Sequence, residues 1–128
     1  MTNDLSTELL VLLDAKLDTY EKLELVLALR DAGTAMTLAD MALHLQVGRE
    51  ALRRVADEVA ATGMIDASQD VLQLRPGGWD PLLDEAARCF ASEPTKLMRA
   101  LTRIAMARIR GMAARTFADA FRIRRKGD

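Results

Sequence analysis

The sequence predicts a mainly α-helical fold with one short β-hairpin. Half of the 128 residues are hydrophobic but only 4% are aromatic, and the apolar set is dominated by Leu, Ala and Met, which favour helices over strands. These residues recur at intervals of three and four along most of the chain, which is typical of amphipathic helices. A chain of this length can bury one core but not two comfortable ones.

The first two helices are predicted from apolar spacing and a capping residue. From about Asp4 to Leu17 leucines recur at helical intervals, and Leu10 and Val11 widen the apolar surface, so this helix is expected to be covered on more than one side. Thr19 is a candidate N-cap for the second helix, which runs to about Ala32, where a glycine follows.

Two further helices joined by a tight turn are predicted between residues 37 and 62. The third helix begins after Thr37, whose hydroxyl can accept a backbone N–H, with Asp40 as the acidic half of a capping box. Residues 46–48 form the turn, and the fourth helix runs from about Arg49 to Thr62. The predicted buried faces are Leu38, Met41, Ala42 and Leu45 on the third helix and Leu52, Val55, Ala56 and Val59 on the fourth.

After the fourth helix the pattern becomes that of strands. Residues 64–66 and 71–74 are mostly apolar and flank a polar turn at 67–70, which predicts a hairpin, or wing, behind the helix-turn-helix. A fifth helix is predicted from Pro81 to Phe90, because a proline preceded by Asp80 is a helix-start signal.

A long sixth helix is predicted after Pro94. Its apolar stripe comprises Met98, Leu101, Ala105, Ile109 and Met112, with Leu97 and Ile104 beside it. Gly111 is the expected place for a bend, and the basic tail, residues 122–128, is expected to fray.

These elements predict two regions. Residues 1–78 form a winged helix-turn-helix with an extra N-terminal helix. Residues 79–128 form a helical extension of two helices, the last one long, that serves dimerisation or docking.

Charge is divided unevenly along the chain. Residues 1–95 carry 8 Lys/Arg and 17 Asp/Glu, a net charge of −9, whereas residues 96–128 carry 10 Lys/Arg and two Asp, a net charge of +8. Such asymmetry is typical of a basic arm for nucleic acid or of two surfaces that attract each other. A solvated, Arg-rich helix is a third interpretation.

Three segments carry a resemblance to a known family. They are Thr37-Leu38-Ala39-Asp40-Met41-Ala42, Leu45-Gln46-Val47-Gly48-Arg49-Glu50 and Val59-Ala60-Ala61-Thr62-Gly63-Met64-Ile65. Over residues 20–75 the chain resembles bacterial winged-helix regulators of the MarR and TrmB kind. The resemblance implies a DNA-binding transcriptional regulator in which the helix at 49–62 enters the major groove, the turn at 67–70 touches the DNA backbone or minor groove, and flanking helices form a dimer.

The outward face of the fourth helix is a test of DNA binding. Phosphates and base edges favour arginine, whereas carboxylates repel phosphate. Double-stranded DNA would meet equal numbers of arginines and carboxylates on this face. The outward side chains are Glu50, Arg54, Asp57 and Ala61, flanked by Arg49, Arg53 and Glu58. The candidate DNA-binding residues are Arg49, Glu50, Arg53, Arg54 and Arg75. The alternative is a winged helix that binds another protein and does not read DNA.

A homodimer through the first and last helices is the preferred assembly, since the largely apolar first helix and the apolar stripe of the last helix both need to be covered. Leu43 also points away from the buried face of its helix. The candidate contacts are Leu9, Leu13, Leu43, Met98, Leu101, Ile109 and Met112, and the candidate basic surface comprises Arg103, Arg110, Arg122, Arg124 and Arg125. The acidic and basic parts could pair across this interface. In the alternative, a monomer, the two helices cover each other.

No catalytic constellation is found, so an enzyme is not expected, and no cofactor is implied. A single histidine, His44, and a single cysteine, Cys89, do not make a metal site. The longest early apolar run is far too short to span a membrane. A cytoplasmic protein is expected.

Overall fold

A computed structural model describes the backbone of residues 5–126 and the side chains of residues 5–120. Within these bounds the protein is mainly helical, as predicted, with six α-helices and a small three-stranded antiparallel sheet. The helices are α1 (Thr7–Ala15), α2 (Tyr20–Ala32), α3 (Leu38–Leu45), α4 (Arg49–Ala61), α5 (Asp80–Ser92) and α6 (Pro94–Lys126). The strands are β1 (Met36–Thr37), β2 (Ile65–Asp66) and β3 (Val71–Leu74).

The first three helices each begin at a capping hydroxyl. The predicted caps Thr19 and Thr37 are confirmed, since their Oγ1 atoms accept from Lys22 N at 3.3 Å and Asp40 N at 3.1 Å. The prediction for α1 was wrong at both ends, because its N-cap is Ser6, whose Oγ accepts from Leu9 N at 3.1 Å, and the helix ends before Lys16. Asp4 lies outside the described residues.

Helices α2 and α3 both end on a residue with left-handed backbone conformation, but the residue type differs. Gly33 closes α2 with a φ of 68°, as the glycine signal predicted. Gln46 takes the same role after α3 with a φ of 58°, although it has a Cβ. The predicted turn between α3 and α4 therefore begins on a residue that sequence rules do not favour there.

The sheet contains one strand that the sequence did not predict. The hairpin of β2 and β3 was expected, and it pairs Ile65 with Leu74. In addition β1 pairs with the other edge of β3, placing Met36 opposite Leu72 and giving the order β1-β3-β2. A two-residue strand is too short to show an alternating pattern, which is why it was missed.

One hydrophobic core joins all six helices and the sheet. Its fully buried side chains include Leu13 and Leu17 from the amino-terminal end, Met41 from α3, and Leu83 and Leu97 from the two last helices. Because α1 packs on α5 and α6, the amino-terminal helix and the carboxyl-terminal extension complete the same core.

The last helix uses a different face from the one predicted. It buries Leu97, Ala100 and Leu101 and half-buries Ile104. Apart from Leu101, the predicted stripe is exposed, and from residue 105 to residue 120 every position except Gly111 is exposed. The helix is continuous through Gly111, the position where a bend is expected from the sequence.

Candidate functional site

The α3–α4 unit presents the outward face of α4 to solvent. The buried residues of α4 are Leu52, Ala56 and Val59, which lie on one side of the helix. Only that side packs on the core. Its N-cap is Gly48, which has no side chain with which to accept a backbone N–H. The first-turn amides of α4 are therefore left for water or for an acceptor from outside the chain.

Charges on this face are balanced, as the sequence indicated. Arg49, Arg53 and Arg54 are exposed together with three exposed carboxylates, which are Glu50, Asp57 and Glu58. One of these is engaged within the chain, because Lys22 Nζ lies 3.0 Å from Glu58 Oε2.

Arg53 is held by the tip of the hairpin. Its Nη1 donates to Asp70 Oδ1 at 2.6 Å, although both side chains are more than half exposed. The contact holds the pKa of the Asp70 carboxyl below its usual range and raises the pKa of Arg53. This bridge could not be predicted from sequence, because it depends on the conformation of the hairpin tip.

The hairpin tip is shaped by two residues with positive φ. Gln69 and Asp70 have φ values of 57° and 58°, a conformation that costs energy for any residue with a Cβ but that Asp tolerates better than most. Ser68 N donates to Asp66 Oδ1 at 3.0 Å, which is the main reason why the pKa of Asp66 is lowered. Arg75 is exposed at the base of the hairpin, where its charge also lowers the pKa of Asp66.

A second feature is an acidic groove along α2. We use this name for two clefts, of about 400 Å³ and about 60 Å³, that share Glu24 and Leu45. The larger is lined by Glu24, Leu27, Ala28, Asp31, His44, Leu45, Gln46, Ala87, Phe90 and Ala91, and the smaller by Glu21, Glu24, Leu45, Val47, Ala51, Leu52 and Val55. Its floor is mostly apolar and its rim carries three carboxylates.

The end of this groove near the start of α2 is ordered by an aromatic pair. Tyr20 and Phe90 stack with ring centroids 6.1 Å apart, and the Tyr20 hydroxyl donates to Glu24 Oε2 at 3.0 Å. Burial, followed by this hydrogen bond, raises the pKa of Tyr20. Neither Glu21 nor Glu24 forms an ion pair within residues 5–120, whereas Asp31 pairs with Arg30 at 2.8 Å.

Three of the predicted partner contacts were wrong, because the residues are buried within one chain. Leu9, Leu13 and Leu101 lie in the core of a single chain, because α1 and α6 pack on each other and on α5. The other four, Leu43, Met98, Ile109 and Met112, are exposed.

The predicted basic surface is described in part. Arg103 and Arg110 are exposed, while the side chains of Arg122, Arg124 and Arg125 lie outside the described residues. Acid–base pairing between the two ends of the chain does occur, but within one copy, since Arg108 forms ion pairs with Asp14 and Asp18.

The single histidine and cysteine lie apart from the α4 face. His44 is exposed at the edge of the acidic groove. Cys89 is half-buried and its thiol donates to the Glu93 carbonyl oxygen at 3.4 Å. Burial, and then the charge of Glu93, raises the pKa of Cys89. Over the described residues, no group of three or more His, Cys, Asp or Glu side chains is placed to hold a metal ion.

Comparisons with known proteins add no family. No protein-family model, curated protein or solved structure matches this chain. Among the helices of the described residues, none is long and apolar enough to cross a membrane.

Proposed function

We propose that residues 20–75 form a winged helix-turn-helix and that the protein is a dimeric, DNA-binding transcriptional regulator. The observation that carries the proposal is the chain order α2, β1, α3, α4, β2, β3, with β1 on the outer edge of the hairpin. This order supports the resemblance drawn from the sequence, in which α4 is the helix that enters the major groove.

The open amino end of α4 supports phosphate binding. Exposed first-turn amides and the positive end of the helix dipole together favour an anion. Arg49 lies at this end, while Arg53 and Arg54 are one turn further along, and all three are exposed. In the proposed complex these arginines contact phosphates and guanine edges.

The acidic residues on the same surface define the kind of binding expected. Glu50 and Asp57 oppose phosphate, so the non-specific electrostatic attraction of this surface is small and affinity depends on a matching sequence. Arg53 can contact DNA in two ways, by exchanging Asp70 for phosphate or by using the N–H groups that the bridge leaves over.

The proposal is tested by a titration of genomic DNA fragments at two salt concentrations. Log affinity should fall by about 0.9 for each phosphate neutralised per unit of log salt, and Arg53→Ala should weaken binding. Arg88→Ala is the matched control, because Arg88 is exposed on α5, outside residues 20–75. Absence of any salt-sensitive binding at low ionic strength would overturn the proposal.

A protein-binding winged helix is the second candidate, and an exposed apolar patch beside α4 favours it. Leu43 is 77% exposed on α3 and Val47 is 40% exposed in the turn. Both line a shallow cleft that also includes Arg49. Capture of a stoichiometric partner that is lost in Leu43→Ser, in a protein that does not bind DNA, would favour this candidate, whereas capture unchanged in that variant would count against it.

A further inference from the structure

The last helix presents a second apolar line that the described part of the chain leaves exposed. At roughly 100° per residue, Met98, Ile109 and Met112 lie near one line, about a third of a turn from the line of Leu97 and Ile104 that packs on the core. Met98 is 41% exposed, Ile109 57% and Met112 59%. The helix thus has two apolar lines, and within the described residues only the line of Leu97 and Ile104 packs on the core.

The exposed line is flanked by positive charge. Arg99, Arg103, Arg110 and Arg115 are all exposed, and Asp119 is the only acidic residue of α6. Two copies of this helix laid side by side would bring these arginines together, because neither helix supplies enough carboxylates to neutralise the other. Pairing of α6 with its equivalent is therefore opposed by like-charge repulsion.

The acidic groove has the complementary composition. Its apolar floor lies between α2, α3, α4 and α5, and its rim carries Glu21, Glu24 and Asp31. Its lining residues include no Lys or Arg. A basic helix with an apolar line fits this groove in both charge and polarity.

We propose that the segment of α6 from Ile109 onward docks in the acidic groove of a second copy of this chain, and that the exchange is reciprocal. Each copy then supplies one basic helix and one acidic groove, which gives a closed, two-fold dimer. The apolar line of α6 covers the groove floor, and the flanking arginines face the three rim carboxylates.

The length of the helix allows this exchange. Arg108 makes the last ion pair between α6 and the rest of the chain over residues 5–120. From residue 109 to its end at Lys126 the helix extends by about 27 Å. That is about twice the radius of gyration of a compact domain of roughly 100 residues, about 13 Å, so the segment is long enough to lie along much of a partner's surface.

The experiment is a charge exchange measured by sedimentation without DNA, so its result is independent of the proposed DNA binding. The groove variant is Glu21→Lys with Asp31→Lys, both exposed, which leaves the Glu24 hydrogen bond to Tyr20 intact. The helix variant is Arg110→Glu with Arg115→Glu. The control is Glu50→Lys with Asp57→Lys, which makes the same charge change on the outward face of α4.

Each of the two variants should raise the dimer Kd at least about tenfold, and mixing them should restore a dimer, because every helix then meets a groove of opposite charge. The control should dimerise like the original chain. Salt should weaken the original dimer between about 0.1 M and about 1 M, where the Debye length falls from about 10 Å to about 3 Å.

Three results would overturn the proposal: a monomer at all concentrations, a groove variant that dimerises normally, or variants that do not recombine on mixing. The second result would mean that the dimer does not use the acidic groove. Circular dichroism checks folding, and if the groove variant does not fold, Glu21→Gln with Asp31→Asn replaces it, with a weakened dimer again expected.

Discussion

At the scale of single residues, the contact between Arg53 and Asp70 governs how much positive charge α4 can offer. The carboxylate reaches Arg53 because Asp70 and Gln69 both adopt a positive φ at the hairpin tip. Arg53 lowers the pKa of Asp70, so the carboxylate is ionised at neutral pH, and this charge pair is lost as the pH falls through the lowered value.

Asp70→Asn is predicted to increase DNA affinity about threefold to tenfold at low salt, because it removes a negative charge and releases Arg53 for phosphate. The measurement is a fluorescence titration of Asp70→Asn, Arg53→Ala and the double variant. In the Arg53→Ala background the gain should shrink. An equal gain in both backgrounds would mean that the bridge itself does not restrain Arg53.

The thiol of Cys89 is predicted to react slowly with iodoacetamide near neutral pH. Burial and the Glu93 carboxylate raise its pKa, and only the thiolate is a nucleophile. The alkylation rate, followed by mass spectrometry, should have its midpoint above about pH 8.5, the usual value for a cysteine. A midpoint below that value would contradict the half-buried environment of the thiol.

At the scale of helices and strands, the sequence predicted the caps of α2 and the start of α3 but not which apolar face of α6 is buried. Thr19, Thr37 and Gly33 act within a few residues of themselves, so the sequence alone located the ends of α2 and the start of α3. On α6 the sequence offers two apolar lines, and periodicity cannot tell which one meets the core. Packing of α6 on α1 and α5 makes that choice.

The candidate site shows the same division. The exposure of Arg49, Arg53 and Arg54 follows from the apolar spacing of α4, and the sequence predicted it. The bridge to Asp70 joins residues 17 positions apart, and the acidic groove joins α2, α3, α4 and α5. Both depend on how distant elements meet, which a local pattern does not encode.

Leu13 and Val11 provide a test of the α1 packing within one helix. Leu13 is fully buried, whereas Val11 is 61% exposed. Leu13→Ala should lower the free energy of unfolding by about 2–5 kcal/mol, because it leaves a cavity in the core. Val11→Ala should change it by less than about 0.5 kcal/mol. Urea denaturation measures both, and equal effects would contradict the orientation of α1.

At the scale of the whole molecule, one helix makes the shape uneven. The 33 residues of α6 correspond to a length of about 50 Å. Its first part completes the core through Leu97 and Leu101, and its second part, residues 109–120, is exposed apart from Gly111. Core packing therefore limits which residues are tolerated in the first part of α6, but it does not limit residues 109–120, which bury little in one copy.

A monomer of this chain is predicted to be larger than its length suggests. A compact protein of 128 residues has a radius of gyration of about 14 Å, and the projecting part of α6 should raise this value clearly. Small-angle X-ray scattering of dilute protein at high salt gives the measurement. A radius of gyration at the compact value would mean that the helix folds back on its own chain.

The pairing of β1 with β3 has a consequence for how the hairpin can change in length. Thr37 lies opposite Val71 and Asp66 opposite Gln73, so the exposed turn at the tip is a chain segment whose ends are already fixed. In the loop-closure description, each doubling of such a segment costs only about 0.6 kcal/mol of chain entropy. Insertions at the tip therefore carry a small thermodynamic cost, and the reach of the hairpin can vary while the core that anchors it stays the same.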